Sequence, residues 1–300
     1  MKTYLFILFN LILTCSASAQ PLRDKLTIAF YGDYLQEDLR WSIAGNSSGQ
    51  NPNVLSEVRW KELKQRGAGL ELKINIWSGF FFSGNYHRAN ICSGSATDTD
   101  YGQDNRTAPT YQSVVRSDEG HTYSYYAGLG YRFEINSIVI SPYAGYSKNR
   151  QFLFLSDPNT ADQDGEKQLN STYETNWNGP RIGLDAHKAL KKWLSVKAGL
   201  SYTQSDYAGT ADWNLIDAFA HPVSFKHNAN GYQTNMNLQV NFQLLPKLSV
   251  FIQGNYTHSE TGTGTDQLFL IDGRTLQSQF NGAVSNNKGI GIGISYHPIP

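Results

Sequence analysis

Apolar and polar residues alternate with a period of two along most of this chain. Between 235 and 244, Met236, Leu238, Val240, Phe242 and Leu244 alternate with Asn235, Asn237, Gln239, Asn241 and Gln243. Successive side chains of an extended strand point to opposite faces, so this pattern reads as a strand with one apolar and one polar face. The same alternation runs through 26–34, 70–76, 80–86, 123–133, 138–146, 180–186, 194–202, 248–256 and 289–296. That makes ten segments, an even number, as up-and-down membrane barrels have.

Connections alternate between short and long. Tight turns are expected at 77–79, 134–136, 191–193 and 246–247, and long loops at 46–53, 92–120, 156–170, 206–231 and 260–287. A β-sandwich also gives alternation. Aromatics at strand ends favour a barrel: Tyr123, Tyr125, Tyr126, Tyr131, Phe133, Tyr143 and Tyr146 read as interfacial girdles. The fold expected is all-β: a ten-stranded antiparallel transmembrane up-and-down β-barrel with short periplasmic turns and long extracellular loops. It occupies 20–300 as a single domain.

The first 19 residues are read separately. Lys2, the apolar stretch from Tyr4 to Leu13 and Ala17-Ser18-Ala19 form a signal peptide pattern, with Gln20 as the mature N-terminus. Export and a barrel together imply the outer membrane of a Gram-negative bacterium. Past the leader no run of 18 apolar residues occurs, so no transmembrane helix is expected.

Composition sharpens this picture. Tyr and Gly are abundant, at 18 and 27, and charged residues are only 17%. A net charge of zero argues against a nucleic-acid partner. Cys92 is the one cysteine of the mature part, so no intramolecular disulfide is expected. The seven histidines show no metal-ligand spacing, and no metal is expected. His221 and His227 read as loop hydrogen-bonders. Glu71, Lys73, Arg132, Arg181, Asp185 and Lys197 fall on the inward face. Ten strands enclose a narrow lumen, so these charges suit a filled pedestal for surface loops better than a general pore.

Asp98-Thr99-Asp100-Tyr101 carries the clearest candidate chemistry. Acids at i and i+2 on extended backbone share one side, and two like charges that close raise a carboxyl pKa. The competing reading is a pair of solvated loop acids with good turn propensity.

Further residues carry a resemblance. Leu55 to Trp60, Asp98 to Tyr101, the Gly-Tyr-x-x-x-Arg element ending in Arg150, and Tyr173, Trp177, Pro180 with Ile182-Gly183-Leu184 together resemble the omptins. These are ten-stranded outer-membrane proteases, and the resemblance spans nearly the whole mature chain. It implies a water held between an Asp pair and an Asp-x-His element across the barrel mouth. Asp98 and Asp100 match the pair. Counting without gaps from Leu200-Ser201-Tyr202 puts the second element on Asp212-Trp213-Asn214, with Asn214 at the His position. An amide does not take a proton from water at neutral pH, whereas imidazole does. His221, seven residues further on, is the substitute base if the loop folds back. Asp98 and Asp100 acting alone as an aspartic dyad is a further alternative. The resemblance also assigns Tyr146 and Arg150 to lipopolysaccharide, as an activating or structural lipid, and implies no other cofactor.

Two functional classes follow. One is an omptin-like surface protein without standard proteolysis that binds peptide, protein or host-surface ligands through its loops, as an adhesin does. The other is an active aspartic-type endopeptidase using Asp98, Asp100 and Asp212 with His221 or another base. Asn214 favours the first, which is the leading expectation; the three retained acids favour the second.

Overall fold

A computed structural model describes residues 25–161, 165 and 167–298, so the leader read at 1–19 lies outside the described residues. The described residues form twelve strands: β1 (Leu26–Ile43), β2 (Ser56–Trp77), β3 (Phe80–Gln103), β4 (Thr107–Arg116), β5 (Gly120–Tyr131), β6 (Phe133–Ile135), β7 (Ile138–Ala161), β8 (Gln168–Lys191), β9 (Leu194–Asp212), β10 (Phe225–Leu245), β11 (Leu248–Phe269) and β12 (Thr275–Tyr296). All pairings are antiparallel, and β12 pairs back onto β1 along sixteen register positions from Ile28–Tyr296 to Ile43–Phe280.

The count of twelve corrects the expected ten. The two additional strands have local causes. β6 continues the line of β5 past a break at Arg132 and pairs only with β7. β4 arises because the chain reverses at the short 3-10 turn Asp104–Arg106 and pairs back onto β3. Asn105, Arg106 and Ala108 all take positive φ there. The stretch expected as one long loop, 92–120, is therefore mostly hairpin. The other expected loops shrink for the same reason, since β7 runs to Ala161 and β11 to Phe269.

Strand length explains what the extra residues do. β2, β3, β7 and β8 are 22–24 residues long, where a tilted membrane strand needs ~9–11. In the half near the short turns, the outward face is apolar and exposed: Phe30, Leu70, Leu129, Ile182, Leu238 and Ile292. Tyr34, Tyr86, Tyr125, Tyr146, Tyr202 and Tyr256 cap this band on the outside. Beyond them the apolar face switches sides. Along β1, Phe30 and Tyr34 point out, whereas Leu35, Leu39 and Trp41 are buried within. Not all of the expected girdle aromatics point out. Tyr126 and Tyr143 face inward and meet edge to face at 5.6 Å, because they sit one residue out of phase with Tyr125 and with Tyr146.

The interior follows the same division. The upper half is an aromatic core including Trp41, Trp60, Tyr173, Trp177, Tyr207, Phe225 and Phe280. Below it lies Glu37, whose carboxylate accepts hydrogen bonds from Gln65 (2.9 Å), Gln151 (2.8 Å) and Ser285 (2.7 Å). A buried carboxylate held by three donors is a stable ceiling. Under it is a polar cavity of about 800 Å³, lined among others by Glu71, Lys73, Arg132, Arg181, Asp185 and Lys197, the charges expected to face inward. Glycines make room in it: a Cβ at Gly69 would run into the Tyr31 ring, and one at Gly183 into Tyr143.

Candidate functional site

The site lies at the long-strand mouth, above the aromatic core. Asp98 sits on β3, paired in register with Val58 of β2 and Ser113 of β4. Asp100, two residues on, faces the same side beside Ser56 and Tyr111. Partial burial pushes the Asp98 carboxyl up to about 7, and the neighbouring Asp100 charge adds to the rise. Asp100 is raised as well, by burial first, with a Ser56 hydrogen bond opposing it. An acid raised by burial and by a neighbouring like charge is easier to keep protonated than a solvated one. Asp98 Oδ1 is buried and makes no hydrogen bond within the protein.

The second half of the site is built by a loop that doubles back. β9 ends at Asp212. The backbone N–H of Trp213 donates to Ser224 Oγ at 2.9 Å, and the Ser224 N–H donates to the Ala211 carbonyl at 2.7 Å. Ala220 N–H reaches the Phe269 carbonyl at 2.9 Å, and Phe219 bridges to Leu270. With both ends held, 213–224 folds His221 onto Asp212: Nδ1 lies 2.6 Å from Asp212 Oδ1. Trp213, between the two, packs on Trp41 and Phe225. Its indole Nε1–H points to Asp98 Oδ2 at 3.4 Å. That contact links the acid pair to the Asp–His pair across the mouth.

Asn214 is not part of this arrangement. Its Oδ1 accepts from the Asn170 N–H (2.9 Å) and Ser171 Oγ (3.1 Å), and its Nδ2 donates to the Gln168 carbonyl (2.8 Å). It clasps the start of β8. Asn214→Ala is expected to lower stability by about 1 kcal/mol, the net worth of such bonds, in thermal unfolding.

Of three further features, sequence reading misses two and places one in a loop. Glu57, buried on β2, holds Arg59 at 2.6 Å and Arg106 at 2.8 Å, which pins the β3–β4 turn beside the acids. The second is His227, read as a loop residue, which is instead fully buried on β10. Its Nδ1 meets Tyr173 OH at 2.8 Å, Tyr173 OH meets Tyr207 OH at 2.7 Å, and its Nε2 lies 3.2 Å from Asp266. Burial lowers the His227 pKa, and the Asp266 contact opposes that shift. The third is Glu174, which takes both ends of the Arg150 guanidinium at 2.6 and 2.9 Å. Arg150 also lies 4.4 Å over the Phe152 ring. Tyr146 stands below it on the outer face, 55% exposed.

Comparison with known proteins bears on the family and the fold. The model of a family described as Protochlamydia outer membrane protein matches residues 30–297. No curated protein sequence matches the chain. Among solved structures, outer membrane protease OmpT from Escherichia coli is similar with a TM-score of 0.69 at 10% identity, covering 92% of this chain and 97% of that one. At that identity the likeness to the omptin is one of fold, an outer-membrane β-barrel. The translocator domain of autotransporter NalP from Neisseria meningitidis covers 98% of this chain and 95% of its own at 10% identity, with a TM-score of 0.39. Neisserial surface protein A covers 90% and 96% at 11% identity, with a TM-score of 0.31.

Proposed function

The chain belongs to the Protochlamydia outer membrane protein family, and from that premise we propose that it is an outer-membrane endopeptidase. The observation that carries this reading is the 2.6 Å contact between His221 and Asp212, beside a Trp213 that reaches Asp98. It supplies the base that Asn214 does not. The fold reading that goes with it is a barrel of ten membrane-crossing staves, with β4 and β6 as local additions.

The chemistry runs as a water attack on a peptide bond. Asp212 accepts a hydrogen bond from His221 Nδ1–H, which leaves Nε2 unprotonated to take a proton from water. Asp98 and Asp100, sharing one proton, orient that water and hydrogen-bond the carbonyl oxygen as it gains charge. The proton on His221 then passes to the leaving amine. Asp98, Asp100 and Asp212 give the mouth an acidic character, so basic peptides are the first substrates to offer.

Refolded protein, supplied with lipopolysaccharide and a panel of basic peptides, is expected to cut at least one of them. Asp98→Ala and Asp100→Ala should each abolish the cleavage. Peptides left intact by the native protein would sink the reading.

Tyr146 and Arg150 are proposed to meet lipopolysaccharide at the outer leaflet. Because Glu174 already neutralises Arg150, Arg150→Ala should weaken lipopolysaccharide binding only about threefold, measured by titration. A second reading, loop-borne adhesion, is favoured by Tyr111, Val114 and Ile271, which stand 51%, 68% and 73% exposed at the same end.

A further inference from the structure

The cavity under the Glu37 ceiling carries more positive charge than its own acids balance. Lys197 is paired with Asp185 at 3.2 Å. Lys73, Arg132 and Arg181 form no ion pair among the described residues. Lys73 lies 3.9 Å over the Phe81 ring, and Arg181 lies 5.0 Å over Tyr126 with its buried Nε making no hydrogen bond. All three line the same cavity, and Lys73 lies within reach of the charges of Lys197, Asp185, Arg132 and Glu71. Glu71 and Asp33, the latter beside His87 at 3.0 Å, offset two of the three unpaired cations, and one remains together with Lys191 and Lys192 of the lining.

Cations enclosed in a narrow lumen need a compensating charge, because the surrounding wall and lipid do not solvate them. The way in is also basic. Lys191 and Lys192 line the short-turn end of the cavity beside Trp193. Such a rim draws anions inward. The aromatic core and the Glu37 ceiling close the opposite end, so a ligand enters and leaves by the short-turn side, which faces the periplasm in barrels of this kind.

We propose that this vestibule binds one small multivalent anion of the phosphate class from the periplasm, held by Lys73, Arg132 and Arg181. The volume of about 800 Å³ lies within the range of small-ligand sites. A guanidinium grips phosphate oxygens in pairs, and Lys73 adds a point charge. This site stands at the opposite end from Asp98 and His221, so it fails or holds independently of proteolysis.

The test is calorimetric titration of the refolded protein in uncharged detergent with pyrophosphate, against chloride at equal ionic strength. One pyrophosphate per chain is expected, with a matching rise in Tm. Lys73→Met and Arg132→Met should each weaken binding about tenfold. Glu71→Gln, which removes the competing acid, should tighten it, and this variant decides the matter if the cation variants do not fold. Arg116→Met, at the far mouth, should change nothing. Absence of saturable binding, or an affinity that Glu71→Gln leaves unmoved, would overturn the proposal.

Discussion

Replacing His221 with alanine is expected to lower kcat for peptide cleavage by about 10²–10⁴, the usual contribution of a general base. KM should change little, because imidazole acts on water rather than on the bound peptide. Thermal stability should also stay near that of the native protein. The His221–Asp212 contact is partly exposed, and the loop is held independently by Ser224, Ala220 and Phe219. Loss of activity with the loop intact separates a chemical role from a structural one. A similar loss in Asp212→Asn would follow, since the amide no longer orients the imidazole or stabilises its cation.

Asp98→Asn is the second large effect, and it has a pH signature. The Asp98 carboxyl titrates near 3.8 when unfolded and is pushed up to about 7 in the fold. Between those values the folded state keeps a proton that the unfolded state has lost. Stability from this group is therefore full below about pH 4 and lost as pH rises through about 7. Asparagine carries no such loss. The variant should match the native protein near pH 3.5 and exceed it above pH 7, on the order of 2–4 kcal/mol, while losing cleavage activity. Tm measured across that range checks it. A difference that does not grow with pH would mean that burial is not what holds the Asp98 proton.

The membrane half of the fold was legible in the sequence because lipid imposes a simple rule. Residues such as Met236, Leu238 and Ile292 face out while Asn237 and Gln239 face in, and period two survives without interruption. The upper half was not legible for a reason equally physical. There water replaces lipid, the apolar side turns inward, and the pattern slips phase within one strand. Leu35, Leu39 and Trp41 continue β1 on the other face from Phe30 and Tyr34. Read along the chain, that slip resembles the end of a strand. Polar hairpins such as β3–β4 then pass for loops.

The site shows the same limit. Asp98 and Asp100 lie two apart on one strand, so local spacing is enough to put them on one face. The Asp212–His221 pair depends on Ser224 and Phe269 pulling a loop back over nine residues, which spacing does not encode. Gap-free counting landed on Asn214, a residue occupied with Gln168, Asn170 and Ser171. The Tyr173–Tyr207–His227 chain was missed because its members come from three strands.

The most direct measurement compares kcat/KM on one basic peptide for the native protein, His221→Ala and Asn214→His. Cleavage by the native protein, a fall of about 10²–10⁴ in His221→Ala, and no gain in Asn214→His would bear out His221 as the base. An inert native protein that Asn214→His makes active would contradict it, and would mark the mouth as a protease site that lacks its base.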